Sequence, residues 1–362
     1  VDLFIIHKKK KKKRRRTIAM DGGFDKKNWE RFGALGWLAL PIPEEFGGLG
    51  GSTVDVAVLL EGFGRGLVVE PYHSTIVLGA ETIALAGRVD QKKSLLEKIA
   101  EGKKLISFAH TEPRTRFNLQ HVALTATKDG ESYKLNGDKA VVHNAETADL
   151  IIVSARTSGD IRDDDGITLF LVDPKTEGLE FRSYPTIDGL RASELSFDSV
   201  VVDSEQLLGG LNTGLNVLER VIDRASVLLC AEAAGAMDTA VKLTVDYIKS
   251  REQFGQPIGA FQVLQHRSVE MLGAKDFSRA LTYRAAGLVD EGSPNDRARA
   301  VSAAKVEAGL GGKLIGQEGV QLHGGMGMTD DMAIGHFFKR LTMIDVLFGN
   351  VDFHRRRFSK IS

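Results

Sequence analysis

The sequence predicts an α+β chain: an N-terminal helical domain, a central antiparallel β-barrel or sandwich domain, and a C-terminal four-helix bundle. Apolar residues recur at helical spacing from about Asp25 to Gly102. Between Leu105 and about Leu208 that spacing gives way to short β-rich runs separated by turn residues. Long helical stretches return from Thr213. A chain of 362 residues has room for roughly two or three domains. The texture changes divide it into a basic tail over 1–16, a helical domain over 17–104, a β domain over 105–208 and a helix bundle over 209–362.

The tail carries an unbroken basic run, Lys8 to Lys13 then Arg14 to Arg16, behind Leu3-Phe4-Ile5-Ile6. It reads as a nucleic-acid patch, an address signal or a disordered tail. Trp29, Phe32, Leu35 and Leu38 then fall at helical spacing. The Pro- and Gly-rich stretch Pro41 to Gly51 stops that helix. Val54 to Phe63, Thr75 to Ala86 and Gln91 to Ala100 read as further helices.

In the β region, Val122 to Thr127 and Tyr133 to Leu135 flank Asp129-Gly130, a strong hairpin signal, and Asn136-Gly137 reads as a second turn. Ile151 to Ala155, Thr168 to Val172, Leu179 to Tyr184 and Leu195 to Val202 are short strand candidates. Their close spacing suggests a compact antiparallel barrel or sandwich.

Leu215 to Ser250 predicts one long helix, apolar nearly all round from Val227 to Ala236, as a bundle-core helix should be. Phe261 to Val289 is the second. Pro294 follows Ser293 as a first helical residue and opens a third helix running to about Val320. Met332 to Leu347 is the fourth.

Composition narrows the function classes. Hydrophobic residues at 43% and charged residues at 27% suit a full globular core. A formal net charge of zero gives no general pull toward nucleic acid or anionic membrane. No apolar run approaches the roughly 18 residues of a membrane span. Metal-ligand spacings are absent, and the single cysteine, Cys230, lies in an apolar helical run as a packing residue. A reduced compartment fits, the cytoplasm or a mitochondrial matrix.

The most informative stretch is Tyr247 to Gln265, which ends one helix, turns through Gly and Pro, and opens the next. Its Arg251, Phe254, Gly255, Pro257, Ile258, Phe261 and Gln262 resemble the signature of the acyl-CoA dehydrogenases. The resemblance covers nearly everything from Trp29 to Phe358. It implies FAD, an acyl-CoA substrate, an electron-transfer flavoprotein or similar acceptor, and a homo- or hetero-oligomer built as a dimer of dimers. It also implies roles for single residues. Arg251 and Phe254 would meet the diphosphate and adenine of a neighbouring subunit's FAD, and a guanidinium fork suits a pyrophosphate. Gln262 matches a further position near FAD. In Gln321-Leu322-His323-Gly324-Gly325-Met326-Gly327, the resemblance sets Gln321 and Gly325 against the ADP part of the neighbour's FAD. Consecutive glycines admit close backbone approach; an ordinary helix–helix turn has the same look.

Phe108-Ala109-His110-Thr111-Glu112-Pro113 resembles the family's segment at the flavin ring, with Phe108, His110 and Thr111 lining it. The family continues Gly-x-Gly-Ser, whereas this chain has Arg114-Thr115-Arg116-Phe117. Lys139 to Asn144 is similar to a strand whose Trp and Thr flank the flavin; Val141 and His143 stand at those positions, and His143 either donates near flavin N5 or is an ordinary hydrogen-bonded histidine.

Many members carry a glutamate as the base in a Tyr-Glu-Gly-Thr segment, and here that segment is Leu347-Phe348-Gly349-Asn350. Another branch places its base on the first long bundle helix just before an arginine, a position held by Asp223 and followed by Arg224, which would face substrate. Glu219, Asp223, Ser226 and Cys230 share one helix face, which reads as a polar stripe toward a cavity or as part of an ion-pair cluster with Arg220 and Arg224. The implied reaction is α,β-dehydrogenation: Asp223 takes the α-proton and the β-hydride passes to flavin N5. Two alternatives stay open. The chain could hold FAD while a partner subunit supplies the base, or act as a flavin oxidase or monooxygenase of the same fold.

Overall fold

A computed structural model describes residues 14–361. Residues 8–13 of the basic run lie outside the described residues. Of the remainder, residues 14–18 are helical, Arg14 Nε donates to the Leu67 carbonyl at 3.2 Å, and Arg15 pairs with Asp330 at 2.9 Å. These three arginines are therefore part of a folded element rather than a tail.

The chain forms two compact units. A mixed unit comprises residues 18–52 and 69–225, and a helical unit comprises 53–68 and 226–362 together with the N-terminal residues. In the mixed unit, α1 (Lys26–Ala34) starts on an Asp25 cap that accepts from Lys27 N. Trp29 and Phe32 are buried, but the helix stops at Ala34, which leaves Leu35 exposed beyond its end. The expected helix from Thr75 is wound in two ways. Residues His73–Ala80 form a π-helix, and α3 (Glu81–Ala86) continues it; α2 (Thr53–Gly66) belongs to the helical unit, and α4 (Val89–Ala100) closes the series. Thr75 Oγ1 contacts both the N–H and the carbonyl of Ile106 at 3.2 Å. A Cβ on Gly79 would meet Ile106 at 2.6 Å, so only glycine permits this approach.

The sheet holds β1 (Ile106–Ala109), β2 (Thr125–Asp129), β3 (Ser132–His143), β4 (Leu150–Arg156), β5 (Ile167–Val172), β6 (Leu179–Pro185), β7 (Arg191–Asp203) and β8 (Leu207–Leu208). Its order is β6-β7-β3-β2-β4-β5-β8. Most pairings are antiparallel, as the short runs predict. The exceptions are β1 against β4 and a single β2–β4 bridge, which are parallel. Leu124, Leu135, Val153, Phe170, Phe197 and Val200 sit in the core of this sheet.

Two expectations from the turn residues fail here. Asn136-Gly137 is not a turn: β3 runs through it with a register shift, Gly137 at φ 135°. Asn136 Oδ1 accepts from Ser199 N at 2.8 Å, and a Cβ on Gly137 would press on Leu124 Cα at 2.9 Å. The residues make a bulge that lets two strands close in. The strand expected from Val122 begins only at Thr125, because the N–H groups of Ala123 and Leu124 are taken by the Glu112 carboxylate at 2.7 and 3.1 Å.

In the helical unit, the long α5 (Gly214–Ser250) contributes its residues from 226 onward, joined by α6 (Gln262–Val289), α7 (Pro294–Leu322) and α8 (Ile334–Val346). Ser293 caps α7, accepting from Asp296 N at 3.2 Å, with Pro294 as its first residue. Gly64 of α2 and Gly235 of α5 would each drive a Cβ into the other helix's backbone, at 1.9 Å from the Glu232 carbonyl and 1.8 Å from that of Glu61. A last helix, α9 (Val351–Lys360), lies beyond the four the sequence predicts: its sequence is dominated by charge, and its start depends on the Asn350 side chain accepting from Phe353 N at 3.0 Å. Among the described residues, no helix is long and apolar enough to cross a membrane.

Candidate flavin site and catalytic base

In the mixed unit, β1 delivers Phe108, 4% exposed, and the chain then emerges to His110 and Thr111, both half-buried. The Phe108 and His110 rings lie 5.3 Å apart. Burial pulls the His110 imidazole down to about 4; Lys139 and His143 add to this, and the Phe108 backbone opposes it. His110 is therefore neutral near neutral pH.

The two flavin-ring motifs are tied together by one buried ion pair. Glu112 and Lys139 are both fully inside, with Nζ 2.6 Å from Oε1, and Lys139 also donates to Ser154 Oγ at 3.0 Å. Burial lowers the Lys139 ammonium while Glu112 holds it up. Ala140 N donates to the Thr111 carbonyl at 2.8 Å and Ser107 Oγ to that of His143 at 2.5 Å. Ser74 of the π-helix donates to Asn144 Oδ1 at 3.1 Å. Val141 sits at a second β3 bulge with φ 53° and stays partly exposed, a strained setting for a β-branched residue. Glu112 and Lys139 each lie within a motif, but nothing in the sequence pairs them; their pairing depends on the proximity of β1 and β3.

On α5 the expected polar stripe divides. Glu219 is exposed, while Asp223 is 2% exposed and Ser226 and Cys230 are buried. Burial pushes the Cys230 thiol up to about 12, as for an inert packing residue. Arg224 is engaged by Glu81 of α3, in the same unit. Burial raises the nearby Tyr72 phenol above its usual range, with Arg224 opposing.

The helical unit carries the other motif residues. Arg251 follows the end of α5, and a small hairpin of β9 (Glu252–Gln253) and β10 (Gln256–Pro257) turns at Phe254-Gly255 with φ 57° and 80°. A phenylalanine rarely occupies such a left-handed turn position, and this one is 91% exposed. Arg251 and Gln262 are exposed, as are Gln321 and Gly325. The two motifs meet through His323 and Tyr247, whose rings stack at 4.3 Å. His323 Nδ1 lies 2.7 Å from the Gly319 carbonyl.

The Leu347–Asn350 segment is held from below. Lys305 Nζ donates to the carbonyls of Ile344 at 2.7 Å and Leu347 at 2.8 Å, and His354 Nε2 donates to that of Phe348 at 3.1 Å. Burial brings Lys305 down to about 8 and His354 to about 3. The segment is ordered, but Phe348 offers no proton acceptor.

These residues fit FAD. Arg251 makes no ion pair among the described residues, so its charge is available to a diphosphate. Built Cβ atoms on Gly324 and Gly325 meet nothing within 4 Å, which leaves room for a ligand against the backbone. The exposed Phe254 ring can stack on a flat base.

The comparisons with known proteins agree along the chain. The acyl-CoA dehydrogenase N-terminal domain model matches residues 6–103, the middle domain model 107–200 and the C-terminal domain model 212–361. A probable acyl-CoA dehydrogenase of Bacillus subtilis, YngJ, is 29% identical over 339 residues, covering 92% of this chain and 89% of the relative. The 3-(aryl)acrylate reductase of Clostridium sporogenes is 30% identical over 334 residues, covering 91% and 88%. Among solved structures, butyryl-CoA dehydrogenase from Megasphaera elsdenii superposes with a TM-score of 0.86 at 26% identity, over 94% of this chain and 90% of that one. The Tcur3481-Tcur3483 steroid ACAD does so with 0.87 at 28%, over 99% and 94%. The chain belongs to the acyl-CoA dehydrogenase family of FAD-binding flavoprotein oxidoreductases.

Proposed function

We propose that this chain dehydrogenates an acyl-CoA thioester at its α,β bond, with Asp223 as the base. The carrying observation is the split on α5: Asp223 is buried while Glu219 one turn earlier is exposed. A buried carboxylate on this helix is shielded from bulk water, as a base acting on a thioester's α-proton should be. The neighbouring Arg224 is held by Glu81 of α3. In this reading Asp223 takes the α-proton, and hydrogen-bond donors around the thioester carbonyl strengthen as enolate character develops. Phe108, His110, Thr111 and His143 place the flavin ring, with His110 neutral as a polar contact. FAD, when bound, supplies the acceptor for the β-hydride. Arg251, Phe254, Gln262, Gln321 and Gly325 hold the diphosphate and adenine, all but Gln262 acting from a neighbouring subunit.

Asp223→Asn keeps the shape and removes the proton acceptor. FAD content should stay normal while flavin bleaching by acyl-CoA under anaerobic conditions slows by at least about a hundredfold. Wild-type bleaching rates in the variant would sink the assignment. Glu219→Gln is the control and should cost far less.

A second reading has its own support. Phe348 is no acid, and a similar solved structure is named for two components, Tcur3481 and Tcur3483. In that reading a partner subunit supplies the base. Bleaching that appears only on adding such a partner would select it. A flavoprotein acceptor for the electrons and a reduced aqueous compartment complete the proposal.

A further inference from the structure

The loop after the flavin-ring segment contains two arginines in glycine-like backbone. Arg114 has φ 71° and Arg116 φ 52°. L-residues other than glycine seldom adopt this region, because Cβ crowds the following carbonyl. Both lie where the family's Gly-x-Gly-Ser pattern places glycine, so the backbone has kept glycine's conformation while the side chains changed. The loop is nevertheless well pinned. Thr115 between them is buried, its Oγ1 donating to the Glu112 carbonyl at 2.9 Å. Asn118 N donates to the Thr115 carbonyl at 3.2 Å. Glu112 itself is fixed by Lys139.

With Thr115 turned inward, Arg114 and Arg116 are both exposed. Neither makes an ion pair or hydrogen bond among the described residues. The stretch Pro113 to His121 contains no carboxylate; the acid that reaches it, Asp164, accepts from Gln120 Nε2 at 2.6 Å. Two uncompensated guanidinium groups thus stand two residues apart on a strained but anchored loop, directly after the residues proposed to line the flavin ring. Strain that the surrounding structure enforces marks a site with a task. Two planar forks at this spacing suit phosphate oxygens better than single carboxylates.

We propose that Arg114 and Arg116 form a recognition pair for the phosphates of the acyl group's pantetheine carrier. The choice of ligand rests on the acyl-thioester reading above. The phosphates could be those of the coenzyme A nucleotide, or the one that joins a phosphopantetheine arm to a carrier protein. The pair determines carrier specificity and takes no part in bond breaking.

The test is calorimetric titration of the FAD-loaded protein with coenzyme A, 4′-phosphopantetheine and pantetheine. Wild type should bind the phosphate-bearing ligands more tightly than pantetheine. Arg114→Gly/Arg116→Gly should weaken them by about tenfold or more, the effect of losing at least one charge-assisted bond, and leave pantetheine unchanged. It should melt no lower than wild type, because glycine relieves the left-handed backbone. Arg114→Lys/Arg116→Lys should fall between. Equal loss for coenzyme A and phosphopantetheine assigns the pair to the arm phosphate; loss for coenzyme A alone assigns it to the nucleotide phosphates. The proposal is overturned if wild type shows no preference for phosphate, or if the glycine variant binds coenzyme A normally. It is equally overturned if pantetheine binding falls in step, or if only electron delivery to an acidic protein acceptor slows. Binding needs no turnover. Absent flavin bleaching with intact phosphate-dependent binding would therefore fault the dehydrogenase reading and leave the pair standing.

Discussion

In the mixed unit, the segment around His110 is tied down by its own chain: Glu112, Lys139, Ser154, Ser107 and Ser74 all contribute bonds, and those of Lys139 are fully buried. In the helical unit, Arg251 and Phe254 stand on a two-strand hairpin in solvent, and Gly324 and Gly325 face open space. The mixed-unit segment is preorganised by its own bonds before any ligand arrives. The helical-unit residues present exposed donors and an exposed ring to solvent. The outward face of α6 points the same way, since Val263, Val269, Leu272 and Phe277 remain exposed. Family members form oligomers, and an uncovered apolar helix face of this kind suits one.

Breaking the preorganised half should have the largest effect. Glu112→Ala strands the Lys139 charge in the interior and frees two backbone N–H groups from their acceptor. We expect a loss of about 3–5 kcal/mol in stability, read by chemical denaturation, together with loss of FAD. A destabilisation below about 1 kcal/mol would mean that this half is not held by the pair.

The open half should respond in the opposite way. Arg251→Ala should reduce FAD affinity by about tenfold and move the stability of the FAD-free protein by no more than about 0.5 kcal/mol. Phe254→Asn places a residue suited to left-handed turns at φ 57°, so the FAD-free fold should hold or gain slightly while FAD retention falls. Unchanged retention in both variants would remove the hairpin from the site.

A separate handle on the preorganised half is pH. The His110 imidazole in the folded protein titrates at about 4, below its ordinary 6.5. Above pH 6.5 the histidine is neutral in both states and contributes no slope. As pH falls from 6.5 to 4, the unfolded chain takes up the proton first and stability is lost. Below 4 the slope from this group ends. His110→Asn should flatten the stability profile over that window, and a profile equally steep in the variant would assign the loss to other groups, such as His354 in the helical unit.

Much was legible before folding. Helical periodicity placed the long helices to within a few residues because packing against one another demands that spacing, and Ser293-Pro294 announced a helix start through local chemistry alone. The family motifs named the chemistry because each is a short contiguous string. What failed were features settled between distant strands. Asn136-Gly137 has the local preference of a turn, but contact with Leu124 and Ser199 makes it a bulge. The Ala123 and Leu124 amides left the sheet ladder for a carboxylate some eleven residues earlier. Glu219 and Asp223 are one turn apart on one face, and the sequence treats them alike; only packing against neighbouring elements buries one and exposes the other. Arg114 and Arg116 show the same division. Their identity and charge are written in the chain, but their left-handed backbone is imposed by Thr115 and Glu112 from inside the fold, and no local preference of arginine would have chosen it.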